Sequence, residues 1–107
     1  MRWLLLPIAA LGLMGAGTPA NQPMSQQERT YTITLICVTI AANDRDDAGH
    51  QRSLDAARRM ATALGYNNDR LGHDLIGMAN VIGVQLRNEP AKVEHSRAVC
   101  RQLGLLS

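Results

Sequence analysis

A chain of 107 residues in which 46% of side chains are hydrophobic and 19% charged has room for one domain with a modest core and no more. Eleven Lys and Arg against nine Asp and Glu give a formal net charge of +2, and the signs are interspersed without a basic block, which removes the electrostatic footprint of a nucleic-acid binder. With one Trp, two Tyr and no Phe, the interior has to be assembled from Leu, Ile, Val, Met and Ala together with Tyr31 and Tyr66.

Residues 1–20 predict an export signal: Arg2 supplies the positive start, Trp3 to Met14 the apolar stretch, and Thr18-Pro19-Ala20 the small-residue cleavage site. A bilayer span needs about 20 apolar residues. Gly15, Gly17 and Pro19 interrupt this run too early, so no stable membrane span is expected after cleavage. No cysteine lies in or just after the apolar stretch, which removes the usual acylation site of a bacterial lipoprotein. The expected product is periplasmic or secreted.

The chain has two cysteines, Cys37 and Cys100, and an oxidising compartment favours their pairing. Redox chemistry normally uses a Cys-x-x-Cys turn, whereas these two are far apart, so a structural bridge is expected.

Asn21 to Gln27 is polar, contains Pro23 and lacks periodicity, which predicts a flexible arm over 21–28 ahead of a single helical domain over 29–107. Tyr31 to Ala42 carries no charge and is the segment the other elements are expected to surround. Nine of the eleven residues 30–40 are β-branched or aromatic, a strand-like composition. No other stretch reads as a partner strand, however, and a lone strand leaves its backbone hydrogen bonds unmade, so a helix is expected. On that helix Ile33, Ile36, Cys37 and Ile40 form one apolar stripe and Tyr31, Leu35 and Val38 the adjoining one.

A turn over 43–48 follows, with Asp46 or Asp47 available to cap a second helix from about Gly49 to Leu64. Leu54, Ala57, Ala61 and Leu64 are its inward positions, and Gly65 ends it. Asn67 or Asn68 caps a third helix, whose inward positions are Leu71, Leu75, Met78, Ile82 and Leu86. Gly72, Gly77 and Gly83 weaken that helix, which suggests a bend, the close approach of another backbone, or simply tolerated exposure. Asn88-Glu89-Pro90 restarts the chain into a last helix, Pro90 to Leu103, with Val93, Ser96, Cys100 and Leu103 inward and Gly104 closing it. The expected architecture is an all-α, small four-helix bundle after a cleaved signal peptide, with one disulfide joining first and last helices.

Candidate chemistry is sparse. Asp44, Asp46, Gly49 and Asp55 fall at positions 1, 3, 6 and 12 of a calcium loop, but Ala48 at position 5 cannot ligate and position 12 lacks the usual Glu. His50, His73 and His95 lie on different helices, and none belongs to a metal-binding pair. Ser53 and Ser96 sit in no nucleophile motif, and adjacent His73 and Asp74 point in different directions on a helix. The glycines match no phosphate-binding spacing. No catalytic residue, metal or cofactor is expected.

At Tyr31 through Cys37 and at Cys100-Arg101-Gln102-Leu103-Gly104 the chain resembles uncharacterised small exported helical proteins of proteobacteria, with one cysteine in the first helix and one near the end. That resemblance implies no catalytic residues. The layout is also similar, at the level of the fold, to the acid-stress chaperones of the bacterial periplasm, which are short, helical and single-disulfide. The expected function is a non-catalytic binding or structural module of the cell envelope, acting on an unknown protein partner or by self-association. The alternative is a chaperone that exposes its apolar helix on protonation.

Overall fold

The computed structural model describes residues 24–107, which form four helices: α1 (Gln26–Asn43), α2 (Asp47–Leu64), α3 (Asn68–Asn88) and α4 (Pro90–Gln102). The described residues contain no strand. The signal-sequence reading of 1–20 and the start of the expected arm lie outside the described residues.

The β-like composition of α1 is accommodated by its threonines. Thr30, Thr32 and Thr39 each donate to the carbonyl four residues earlier, at 2.9–3.0 Å, and Thr34 donates to the Tyr31 carbonyl at 2.6 Å. These bonds satisfy hydroxyls that would otherwise be unpaired, so even Thr34, 3% exposed, can enter the core. The helix starts earlier than the sequence suggested. Ser25 accepts from the Glu28 amide while Glu28 accepts from the Ser25 amide, both at 3.0 Å, a reciprocal cap that brings residues 26–28 of the expected arm into α1.

Three left-handed residues end α1, α2 and α4. Gly65 and Gly104 have φ of 79° and 76°, and Arg45 occupies the same conformation at 58° without the freedom of a glycine. In each case two backbone bonds reach back into the last turn, as from Tyr66 to Ala61 and from Gly65 to Thr62. Asp46 then caps α2 through the Gly49 amide at 3.0 Å, and Asn67 caps α3 through the Arg70 amide at 2.8 Å. Pro90 opens α4 behind Glu89, which stands at the N-cap and makes no side-chain cap bond.

Helix α1 packs against all three others and most extensively against α2. Gly49, Ser53, Ala57 and Ala61 line the buried face of α2 at every fourth position, and their small size lets the two helices approach closely. Tyr31, Leu35, Val38, Ala57, Ala61 and Leu71 form one core cluster. A second surrounds the disulfide and comprises Cys37, Ile40, Ala41, Ile82, Val93, Cys100 and Leu106.

The expected core stripe divides on inspection. Tyr31, Leu35, Val38 and Ile40 are buried, whereas Ile33 and Ile36, one turn apart on the same side of α1, are half-buried and pack against the cluster around the disulfide. Leu103 is another correction: it is 54% exposed, because the chain turns at Gly104 and inserts Leu106 instead, at 6%. Of the alternatives for the α3 glycines, close approach of another backbone is not found, since a Cβ at Gly72, Gly77 or Gly83 would meet nothing within 4 Å. Within the described residues no neighbouring backbone approaches them.

Candidate functional site

The two cysteines meet. Cys37 and Cys100 are bonded, with Cα atoms 5.7 Å apart, in the ordinary range for a disulfide, and both are fully buried. The bridge joins first helix to last and is enclosed by hydrocarbon, so it serves as a fastener.

Three polar clusters fasten the surface around it. In the first, the Tyr31 hydroxyl and Arg70 Nε both donate to Asp74 Oδ2 at 2.8 Å, tying α1 to α3. Arg70 also lies 4.0 Å above the Tyr66 ring, which meets Tyr31 edge-on at 5.2 Å. Burial, reinforced by the hydrogen bond to the Asp74 carboxylate, pushes the Tyr31 hydroxyl well above the ordinary tyrosine range. It therefore stays protonated and acts as a donor.

In the second cluster Arg97 of α4 holds Asp44 at the end of α1 through two bonds of 2.8 and 2.9 Å, and also pairs with Glu94. The guanidinium keeps the Asp44 carboxyl below its usual range. In the third, Asp46 accepts from the Ser107 hydroxyl at 2.6 Å and amide at 2.7 Å while capping α2. Those donors, the Ser107 hydroxyl foremost, lower its pKa to about 2. Arg52 completes the dock by donating to the Gly104 carbonyl at 2.9 Å.

These commitments answer the sequence motifs. Of the four residues at calcium-loop spacing, Asp44 is paired with Arg97, Asp46 is a cap, and Asp55 is in mid-helix beside Arg58 at 3.6 Å. Gly49 belongs to the cap, since a Cβ there would collide with the Asp46 carboxylate. Among the described residues no three His, Cys, Asp or Glu side chains are placed to hold a metal ion. Ser53 is buried and its hydroxyl donates to the backbone, to the Gly49 carbonyl at 2.7 Å and the His50 carbonyl at 3.2 Å. Asp74 turns inward while His73 is exposed, so the adjacent pair forms no relay.

Among the surface grooves of the described residues, two are lined by the half-buried isoleucines of α1. Ile36 lies in a groove of about 510 Å³ with Met78, Val81, Ile82 and Ala91, edged by Gln85, Lys92, His95 and Ser96. Ile33 lies in the other, about 400 Å³, with Met60, Leu103 and Leu105 and edged by Arg59. The lining of the larger groove is mainly apolar with a few polar groups among it, the composition of a binding surface. Sequence reading placed Ile33 and Ile36 in the core because an apolar residue on a central helix carries no mark of which flank stays uncovered. Among the described residues no helix is long and apolar enough to cross a membrane.

Comparison with protein families, with curated proteins and with solved structures finds no match to this chain.

Proposed function

We propose that this protein is a non-catalytic binding module of the bacterial cell envelope, exported by the signal read in residues 1–20 and working in an oxidising compartment. The observation that carries the reading is the groove between α1, α3 and α4, which Ile36, Met78, Ile82 and the exposed Val81 line with apolar surface beside Lys92 and His95. A surface of that kind suits a short apolar segment of a protein partner with hydrogen-bonding or acidic flanks. The polar clusters do not compete with it as active sites, because their donors and acceptors are already engaged in holding helices together. The buried disulfide fits an extracytoplasmic setting.

The test is capture from an envelope extract with the wild-type protein and with Val81→Glu, which places a charge on the groove edge at a residue 48% exposed and so spares the core. A partner retained by the wild type and lost with Val81→Glu supports the reading. No partner, or the same partners at equal strength, overturns it.

The acid-stress chaperone is the second reading, favoured by Asp44 and Asp46. Both hold contacts more than fifty residues away in sequence, to Arg97 and Ser107, that protonation would weaken. Acid would then loosen α4 and the tail from α1 while the disulfide keeps them attached. A pH titration with a hydrophobic dye and an aggregation-suppression assay on an unrelated client test it. No dye binding and no protection down to about pH 2, well below the reference carboxylate pKa values, removes the chaperone.

A further inference from the structure

The outward face of α3, on the side of the helix away from its buried Leu71 and Ile82, has no partner among the described residues. At 100° per residue, Asp69, Gly72, Ile76, Asn80, Gly83 and Arg87 fall within a narrow stripe along the helix, with His73 and Val84 beside it. The stripe is unusual for a solvent face. Ile76 is 67% exposed and Val84 47%, and between Asp74 and Arg87 the helix carries no charge. The only charges on the stripe itself stand at its two ends, Asp69 in the first turn and Arg87 in the last, about 27 Å apart at the helical rise. Neither has an ion partner within the described residues.

That arrangement is self-complementary under a two-fold rotation. Laid antiparallel against itself and centred level with Met78, the helix puts Asp69 opposite Arg87 at both ends at once. The same register sets Val84 opposite Gly72, His73 opposite Gly83, and Ile76 opposite Asn80. Each glycine on the stripe then faces a side chain of the other helix, and open space within one chain becomes room for a neighbour. A parallel pairing would instead bring Asp69 to Asp69 and Arg87 to Arg87, and would align the helix dipoles unfavourably.

We propose that α3 pairs antiparallel with α3 of a second copy of this chain, forming a two-fold dimer through Ile76 and Val84 with Asp69–Arg87 ion pairs at both ends. The surface is isologous, the same patch serving both subunits. It lies on the opposite side of α3 from Ile82 and leaves the groove open, so it stands independently of the binding function. A single helix pair falls below the roughly 1,200 Å² of a standard interface, so the dimer is expected to be a weak, reversible one.

Sedimentation of the disulfide-bonded protein over a concentration series tests the assignment, with circular dichroism checking each variant's fold. The wild type should show a monomer–dimer equilibrium, and Ile76→Glu should weaken it by about tenfold or more by placing an unpaired charge at the centre. Asp69→Arg and Arg87→Asp should each weaken it alone, while an equimolar mixture of the two restores association, because every end of the mixed dimer is again an opposite-charge pair. Val81→Glu, on the groove side, should leave it unchanged. A protein that stays monomeric to millimolar concentration overturns the proposal, as does a dimer indifferent to Ile76→Glu or singles that do not recover on mixing.

Discussion

Arg97 grips Asp44 by two parallel hydrogen bonds, Nε to Oδ2 at 2.8 Å and a terminal nitrogen to Oδ1 at 2.9 Å, across 53 residues of sequence. The Arg97 side chain is 12% exposed and that of Asp44 27%, so the pair is partly shielded from water. We expect Arg97→Ala to destabilise the fold by about 2 kcal/mol. Arg97→Lys should recover only part of that, since an ammonium cannot make the fork. A double-mutant cycle with Asp44→Ala reads the coupling directly, and additive effects would show that the fork holds nothing together.

Arg45 is the one left-handed residue among the three helix-ending positions that is not glycine. A Cβ in that conformation costs about 1 kcal/mol. Arg45→Gly is therefore expected to stabilise the protein by up to that amount in urea denaturation. A loss of stability would mean that the Arg45 side chain contributes a contact outweighing its backbone strain.

Reducing the Cys37–Cys100 bond frees the long loop that contains α2 and α3, and the chain-entropy relation puts the loss at about 4 kcal/mol. For a core with two tyrosines and no other described aromatic, that is a large fraction of the whole. Melting with and without reductant should separate widely, and overlapping curves would contradict the expectation.

Stability should also fall in acid through Asp46. Its pKa is about 2 in the folded protein against about 3.9 unfolded, so its contribution is complete above the unfolded value and is lost as pH drops from about 4 towards 2. Asp44 shifts in the same direction, held there by the Arg97 guanidinium. Asp46→Asn should flatten that part of the stability profile, and thermal melts between neutral pH and pH 2 would show an unchanged slope if the carboxylate is irrelevant.

The helices were legible because their signals are local. Gly65, Asn67 and Pro90 mark boundaries by chemistry that acts within a turn, and the apolar period of α3 names Leu71 and Ile82 correctly. The start of α1 was also written, as Ser25-x-x-Glu28, yet the polar run around it reads as an unstructured arm until the reciprocal bonds are recognised. Leu106 followed a helix-ending glycine, where a hydrophobic residue commonly folds back, but nothing local says how far it reaches. The partners of Arg97, Asp74 and Ser107 were beyond sequence reading, since each contact joins residues more than forty positions apart and any exposed arginine has several carboxylates to choose among. The grooves were hidden for a related reason: they are defined by what three elements fail to cover.

The bond between Cys37 and Cys100 makes a covalent circle of everything between them, with α2 and α3 entirely inside it. A protease that cuts the backbone at the turn of residues 65–67 would thus break the chain without parting the molecule. The two pieces would travel together until the sulfurs were separated, and a nick that disarms an ordinary small domain would leave this one in a single body.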